Sequence, residues 1–307
     1  MTPQDLRRRL RGVLAFAPTP FTSDGRLDDA GLARHIDGLC EAGVGAVVVC
    51  GGTGEFFSLD ADEYRTVMRI AAEVARHRVP VVAGIGHATG VAVRLAEYAG
   101  SVGLDGIMVH PQYFVEPPDD GLVLHYRALA AASGLGLMIY CTPTAPVRLD
   151  LVRRLAAIDG VVALKDESGD VAAFAAVRQA LGDRLAWVNG MAEMHAGPYF
   201  EAGAQAFTSG IVNFAPAISL AVWDAGARGR KDELDDLLSR CVRPLAALRA
   251  RRPGAAVAVV KEAMNLLGLP GGVVRLPLTP LSPDEREELR RVLRDLRLLS
   301  DDQGGRA

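Results

Sequence analysis

A lysine that follows a short apolar run is the residue of this sequence with the clearest chemical potential. The run is Gly160–Leu164, and Lys165 comes directly after it. The chain has 34 basic residues, but only Lys165, Lys231 and Lys261 are lysines. Arginine serves where charge alone is needed, yet its guanidinium stays protonated and cannot form an imine. Because burial at a strand end lowers the pKa of a lysine and frees its amine to attack a carbonyl, Lys165 is a candidate Schiff-base nucleophile.

Other groups suited to the same chemistry also follow apolar runs. Tyr140 supplies a phenol that can move protons, and a Gly-rich loop supplies backbone N–H groups that can hold a carboxylate. A lysine, a phenol and such a loop would together suit a 2-oxo acid, a small-molecule keto acid substrate. The candidate substrate-binding residues are Gly52, Thr53, Gly54, Gly190, Ser209 and Asn213.

Each candidate also has an ordinary structural alternative. Lys165 could extend to solvent or pair with Asp166 or Glu167, and Tyr140 could be a core aromatic. The glycines fit a tight turn, and a hydroxyl or amide after a strand fits a helix cap. His87 and His110 also follow apolar runs, where a single histidine is more often structural. The joint placement of the candidates at strand ends is what favours catalysis.

Eight short apolar runs with Gly, Pro or Asp at their boundaries predict the strands that position these residues. The runs are apolar throughout, which is typical of parallel strands covered on both faces, and stretches of helical period lie between them. We therefore predict an α/β fold, a closed (β/α)8 barrel, in which the C-terminal strand ends meet at one mouth. The predicted strands are Val13–Ala17, Ala46–Cys50, Val79–Ile85, Gly106–His110, Leu135–Tyr140, Val161–Lys165, Leu185–Asn189 and Ala206–Ser209.

A doubly wound sheet with a nucleotide site is the alternative architecture. The loops Gly51–Gly54 and Gly84–Gly90 are rich in glycine and follow strands. Neither has the spacing G-x-G-x-x-G, and no acidic residue ends a strand about 20 positions later. A dinucleotide site is therefore disfavoured.

Only helical patterns remain after residue 219. Ser282 is a good N-cap, with Pro283 at the first helical position and Glu285 completing a capping box. We therefore predict a barrel over residues 1–219 and a C-terminal helical region over residues 220–307. The helices predicted in that region are Leu220–Ala227, Lys231–Arg251, Ala255–Leu267 and one from Ser282 to Leu299.

Composition and charge narrow the function classes. With 50% hydrophobic residues, 23% charged residues and a net charge of −3, the chain is typical of a soluble globular protein without affinity for nucleic acid or membranes. Its four cysteines have neither C-x-x-C nor zinc-site spacing, which predicts reduced thiols in a cytoplasmic protein and no metal site. The sequence has no apolar leader segment and no run of about 18 apolar residues that predicts a membrane span.

The sequence resembles the N-acetylneuraminate lyase and dihydrodipicolinate synthase superfamily of Schiff-base lyases over nearly its whole length. Within it the chain is most similar to the 5-dehydro-4-deoxyglucarate dehydratases, through Gly51–Leu59, Asn213-Phe214-x-Pro216 and Arg252–Val257. The resemblance implies a homotetrameric TIM barrel that uses no metal or organic cofactor. The superfamily motifs are Pro18-Thr19-Pro20-Phe21, Gly51–Glu55, Gly103-x-Asp105-Gly106, Tyr140-x-x-Pro143 and Lys165-Asp166.

Two differences from the aldolase branches favour the dehydratase branch. The aldolases have a hydroxyl residue that relays protons where this chain has Gly52. The lysine-pathway enzymes have an arginine for a second carboxylate where this chain has Ala145. The segment Cys141–Thr144, however, departs from the Tyr-Asn-Arg-Asp-Asn pattern of the dehydratases, so the sequence leaves the group that binds the distal carboxylate open, with Arg148 as a candidate.

The resemblance thus implies a dehydratase that also decarboxylates, converting 5-dehydro-4-deoxyglucarate or a related keto-deoxy sugar acid to 2,5-dioxopentanoate, carbon dioxide and water. Lys165 would form the imine, Tyr140 would move protons, and Thr53 with the backbone of Gly52 to Gly54 would hold the carboxylate. The alternatives are a pyruvate-dependent aldolase that uses the same lysine and a barrel without catalytic activity.

Overall fold

Eight parallel strands, paired in chain order, close into a barrel when β8 pairs with β1. The computed structural model describes residues 1–112 and 115–300. The strands are β1 Gly12–Phe16, β2 Ala46–Val49, β3 Val81–Ile85, β4 Gly106–Val109, β5 Gly136–Cys141, β6 Val161–Asp166, β7 Ala186–Asn189 and β8 Ala206–Ser209. The predicted (β/α)8 TIM barrel is confirmed. The first and last residues of each predicted strand differ from those of the observed strand by at most two positions.

Helices cover the outside of the barrel and alternate with its strands. Their apolar faces pack on the outward side chains of the strands, so each strand is buried on both faces as its sequence predicted. These helices are α1 Pro3–Arg9, α2 Asp29–Glu41, α3 Ala61–Ala75, α4 Thr89–Ser101, α5 Asp119–Ser133, α6 Leu149–Ala156, α7 Val171–Leu181 and α8 Ala196–Glu201.

The inside of the barrel is a second apolar core, which α1 closes at the N-terminal end of the strands. Leu6 from this helix is fully buried against β4 and β5, where Gly106 and Gly136 leave room for it. A Cβ at either glycine would come within 2.7 Å of the Leu6 side chain. The closed lower end leaves the C-terminal strand ends as the open mouth.

The C-terminal part of the chain is helical, as predicted. A π-helical turn, Leu238–Val242, joins α10 to α11, so the long helix predicted over 231–251 is interrupted. Such turns are rare and often occur near functional sites. The helices are α9 Pro216–Ala227, α10 Lys231–Leu237, α11 Arg243–Arg249, α12 Ala255–Leu266 and α13 Pro283–Asp295. Ser282 caps α13 with the predicted capping box. The division of the chain at 219/220 stays a prediction.

None of the helices in the described part of the chain is long and apolar enough to cross a bilayer.

Candidate active site

Strand register brings Lys165 and Tyr140 together inside the barrel mouth. Lys165 on β6 is the direct register partner of Tyr140 on β5. Side chains alternate across a strand, so Asp166 points to the opposite face, where Tyr199 donates a hydrogen bond of 2.5 Å to its carboxylate. Of the two ion-pair partners predicted as alternatives for Lys165, Asp166 is therefore not used and Glu167 is, and the amine is directed into the barrel.

The amine of Lys165 is enclosed by aromatic rings. The residue is only 3% exposed, and Nζ lies 3.5 Å from the ring centroid of Tyr140 and 5.0 Å from that of Phe16. Burial lowers the pKa of Lys165, and the neighbouring Glu167 carboxylate acts in the opposite direction. Because the effect of burial is the larger one, the neutral, nucleophilic form of this amine is more populated than in a lysine exposed to water.

Glu167 connects the two candidate catalytic groups through a single oxygen. Its Oε2 accepts a hydrogen bond of 2.6 Å from Lys165 Nζ and another of 2.6 Å from Tyr140 OH. Burial, followed by the Glu167 charge, raises the pKa of Tyr140 well above its ordinary value. The phenol thus stays protonated and can donate, while the carboxylate can accept a proton from either neighbour.

A cavity of about 220 Å³ opens above Lys165. Its walls come from seven strands or the loops that follow them, every strand except β3, and from α11 and α12, so the C-terminal helices complete the site. It is lined by Phe16, Gly52, Thr53, Met108, Tyr140, Lys165, Glu167, Gly190, Ala192, Thr208, Ser209, Gly210, Arg249, Ala256 and Val257.

The Gly-rich loop after β2 contributes unused hydrogen-bond donors to this cavity. The backbone N–H groups of Gly52 and Thr53 donate to no acceptor among the described residues, and the Thr53 hydroxyl has no partner there either. Successive free N–H groups form a concave site that suits an anion. The predicted role of Gly52 and Thr53 in holding a carboxylate is compatible with this geometry.

A buried ion pair holds the same loop to the C-terminal region. Glu55, in the left-handed conformation at φ 53°, pairs with Lys261 of α12, and both side chains are at most 1% exposed. Lys261 also donates a 2.7 Å hydrogen bond to the carbonyl of Val273, and the Arg275 backbone N–H donates to Glu55. Removal of one partner would leave a buried charge unpaired, so this pair fixes the loop firmly.

Gly190 and Ser209 also line the cavity, but the hydroxyl of Ser209 is already engaged. It donates to the buried carboxylate of Glu193 and accepts from the Val212 backbone N–H at 2.9 Å. Ser219 donates to the same Glu193 oxygen at 2.7 Å. Ser209 therefore shapes the wall of the cavity more than it offers a free hydroxyl.

Two of the predicted substrate-binding residues lie behind the cavity. The Gly54 carbonyl accepts a 2.7 Å hydrogen bond from the Thr19 hydroxyl. The Asn213 side chain donates to the carbonyls of Phe16 and Gly210, and its oxygen accepts from His35 Nε2 at 2.9 Å. Neither residue is among those that line the cavity, and the Asn213 amide is engaged by the surrounding backbone and by His35.

The remaining candidates from the sequence are not among the residues that line the Lys165 cavity. The guanidinium of Arg148 pairs with Asp119 at the start of α5 and is not among the residues that line the Lys165 cavity, so its suggested contact with the distal carboxylate stays a prediction. His110 stacks on Phe56 with ring centroids 4.1 Å apart and donates from Nε2 to the Cys50 carbonyl. Burial lowers the pKa of His110 to about 4, so this histidine is neutral and structural.

The sequence analysis named Glu167 only as a possible ion-pair partner of Lys165, without a catalytic role, and it missed Arg249. Strand alternation carries a signal for Glu167, because a residue two positions after Lys165 falls on the same side of the chain. No local pattern indicates Arg249, which reaches the cavity from the end of α11 through the packing of distant helices.

Comparison with known proteins identifies a matching protein family, similar relatives and a similar crystal structure. The model of the dihydrodipicolinate synthetase family matches residues 9–296. A protein of Chelativorans sp. named "probable 5-dehydro-4-deoxyglucarate dehydratase" is 36% identical over 94% of this chain and 96% of its own length. A protein of Saccharopolyspora erythraea with the same name is 38% identical over 92% and 93%. The crystal structure of dihydrodipicolinate synthase from Oceanobacillus iheyensis superposes with a TM-score of 0.91 and 32% identity, covering 96% of this chain and 99% of the other.

Proposed function

The chain belongs to the dihydrodipicolinate synthetase family and is an enzyme of the lyase type, and we propose that it converts 5-dehydro-4-deoxyglucarate to 2,5-dioxopentanoate, carbon dioxide and water. The observation that carries the proposal is the buried Lys165 amine, which shares one carboxylate oxygen of Glu167 with the Tyr140 phenol. The names of the similar relatives support the choice of substrate.

The first step is the formation of an imine on Lys165. The neutral amine adds to the keto carbon of the substrate, and the former keto oxygen leaves as water. Tyr140 donates a proton to that oxygen, and Glu167 accepts the proton that the amine releases. Tyr140 and Glu167 can exchange protons with the reacting amine because Lys165 and Tyr140 both contact the same Glu167 oxygen.

The imine then acts as an electron sink for dehydration. A base removes a proton from the methylene carbon beside the imine, and Glu167 is the carboxylate nearest to Lys165 Nζ. The electron pair expels the hydroxyl on the next carbon, which leaves as water after protonation by Tyr140 or the acid form of Glu167. The product of this step is an imine conjugated to a new carbon–carbon double bond.

Decarboxylation follows from that conjugation. The bond between the distal carboxylate and its carbon breaks, carbon dioxide leaves, and the electron pair passes through the double bond into the imine. Protonation of the carbon chain and hydrolysis of the imine by one water release 2,5-dioxopentanoate. The water lost in imine formation is returned in hydrolysis, so the net products are one carbon dioxide and one water.

The test is incubation of the purified chain with 5-dehydro-4-deoxyglucarate while carbon dioxide, 2,5-dioxopentanoate and pyruvate are measured together. We expect equal amounts of carbon dioxide and 2,5-dioxopentanoate, no pyruvate, and a borohydride-stable adduct on Lys165. Release of pyruvate from the sugar acid would instead assign the chain to the aldolases. Turnover without an adduct would remove the imine from the mechanism.

The homotetramer implied by the resemblance and the cytoplasmic location predicted from the cysteines belong to the same proposal. Light scattering of the purified chain measures the first, and fractionation of the producing cells measures the second. A monomer or dimer at micromolar concentration would contradict the tetramer without affecting the assignment of the chemistry.

A further inference from the structure

A single arginine from the C-terminal helices reaches the cavity mouth. Arg249 is the last residue of α11, and its guanidinium lies over Gly210, directly after β8. A Cβ at Gly210 would stand 3.1 Å from Arg249 Nη2 and 3.5 Å from Cζ, so a larger residue at this position would press on the guanidinium. Arg249 lines the same cavity as Lys165.

The neighbouring arginines differ from Arg249 in their pairing. Arg251 forms a 2.8 Å hydrogen bond with Glu288, and Arg252 forms one of 3.0 Å with Glu285, both on α13. Arg249 has no hydrogen bond or ion pair with any described residue, and its Nε is shielded from solvent without an acceptor. A shielded guanidinium donor without an acceptor is costly, because this group stays charged.

Negative charge lies near Arg249 but does not touch it. The carboxylates of Glu193 and Glu167 raise the pKa of Arg249, while burial, the larger effect, lowers it. Glu193 uses one oxygen for Ser209 and Ser219, and its Oε2 has no partner. These carboxylates favour the charged guanidinium without accepting hydrogen bonds from it. The N–H groups of the guanidinium, which form a planar fork, therefore remain available to an anion that enters the cavity.

We propose that Arg249 binds the distal carboxylate of the substrate and thereby selects six-carbon 2-oxo diacids over monoacids; this rests on the proposed function. One end of the diacid is held where Lys165 bonds the keto carbon and Gly52 and Thr53 offer N–H groups to the first carboxylate. Arg249 holds the other end through its planar fork. Ala256 and Val257, which line the same cavity from α12, are apolar and offer no side-chain donor to a carboxylate.

The test uses two ligands that differ only in the distal carboxylate. 2-Oxoadipate and 2-oxohexanoate have the same chain length, and each can be trapped on Lys165 with borohydride and counted by protein mass. We expect half-saturation at a concentration at least about tenfold lower for 2-oxoadipate, since loss of a buried charge pair costs more than one factor of ten. Arg249→Met should bring the ratio close to one.

Two further variants make the test specific. Arg251→Met carries the same substitution outside the cavity and should keep the preference, whereas Arg249→Lys keeps the charge without the fork and should retain part of it. Preserved preference in Arg249→Met, or no preference in the unmodified chain, overturns the proposal. If borohydride traps neither ligand on Lys165, both this proposal and the imine on Lys165 are refuted. If the preference for 2-oxoadipate depends on Arg249 but no carbon dioxide forms from the sugar acid, only the proposed reaction is refuted.

Discussion

Tyr140 and Lys165 are register partners on adjacent parallel strands, and Lys165 Nζ lies 3.5 Å from the Tyr140 ring centroid. Their relative position is therefore set by the hydrogen bonds of the sheet and does not depend on a flexible loop. Both side chains meet at Glu167, which follows β6 by one residue. An amine, a phenol and a carboxylate in mutual contact can pass a proton from one to another without solvent.

Replacement of Lys165 by arginine should abolish turnover and leave the fold intact. Arginine carries the same charge and a similar stem but cannot form an imine. Carbon dioxide release should fall to background, and the borohydride adduct should disappear. Lys231→Arg is the matched control, since Lys231 is an exposed residue that pairs with Glu201. Activity of Lys165→Arg within about tenfold of the unmodified chain would contradict covalent catalysis, which supplies several kcal/mol.

Tyr140→Phe should reduce turnover by a factor on the order of 10², a typical contribution of a general acid or base. The ring that covers Lys165 is kept, and only the hydroxyl that donates to Glu167 is lost. Steady-state carbon dioxide release measures the effect. Unchanged turnover would show that the phenol is a core residue whose hydroxyl is merely satisfied by Glu167.

Glu167→Gln should shift the pH dependence of imine formation to lower pH. The carboxylate raises the pKa of Lys165 against the lowering by burial, so its removal leaves burial less opposed. A lower pKa means that the amine is neutral, and able to attack, in more acidic solution. Borohydride trapping of pyruvate as a function of pH gives the midpoint. Tyr140→Phe keeps the carboxylate and serves as the control; a midpoint that stays or rises in Glu167→Gln would refute this electrostatic role.

The strands and the lysine could be predicted from sequence because they depend on local signals. Apolar runs bounded by Gly, Pro or Asp determine where strands form, and closure of the barrel brings all their C-terminal ends together. Lys165 and Tyr140 then meet as a consequence of register. The same logic applies to Gly52 and Thr53, since a loop that follows a barrel strand must lie at the mouth.

The rest of the site depends on contacts that local patterns do not contain. Asn213 follows a strand as the other candidates do, but its amide turns inward to His35 and the backbone. Arg148 has a suitable charge, but its guanidinium pairs with Asp119 and does not line the Lys165 cavity. Arg249 enters the cavity only because α11 packs across the mouth, and no periodicity in its own segment indicates that contact.

The unfolding free energy should fall as the pH decreases from about 6.5 to 4. Burial lowers the pKa of His35 to about 4, while an unfolded histidine has a pKa near 6.5. Within this window the unfolded chain binds a proton that the folded chain does not, so stability rises with pH and is lost on acidification. The full effect is about 3 kcal/mol for one such histidine. Urea unfolding at several pH values measures it.

His35→Gln should flatten this dependence, because glutamine can still donate to Asn213 but does not titrate. His195→Gln, at an exposed position, should leave the slope unchanged. His110, with a pKa lowered to about 4 for the same reason, keeps part of the dependence in both variants. A slope in His35→Gln equal to that of the unmodified chain would mean that His35 is not held neutral in the folded state.

Gly52→Thr should slow the dehydratase reaction while pyruvate trapping largely survives. Gly52 does not have positive φ, and a Cβ added there meets no atom within 4 Å, so the backbone conformation and the space around the Cβ both accept a side chain. The added side chain instead extends into the open space at the cavity rim, next to the loop that would hold the substrate carboxylate. A sugar acid needs that room more than the smaller pyruvate does. Carbon dioxide release and borohydride trapping are measured on the same variant, and Gly52→Ala, which adds only a methyl group, should lose less. Unchanged carbon dioxide release in Gly52→Thr would show that Gly52 does not border the substrate, and would remove one reason for preferring the dehydratase branch over the aldolases.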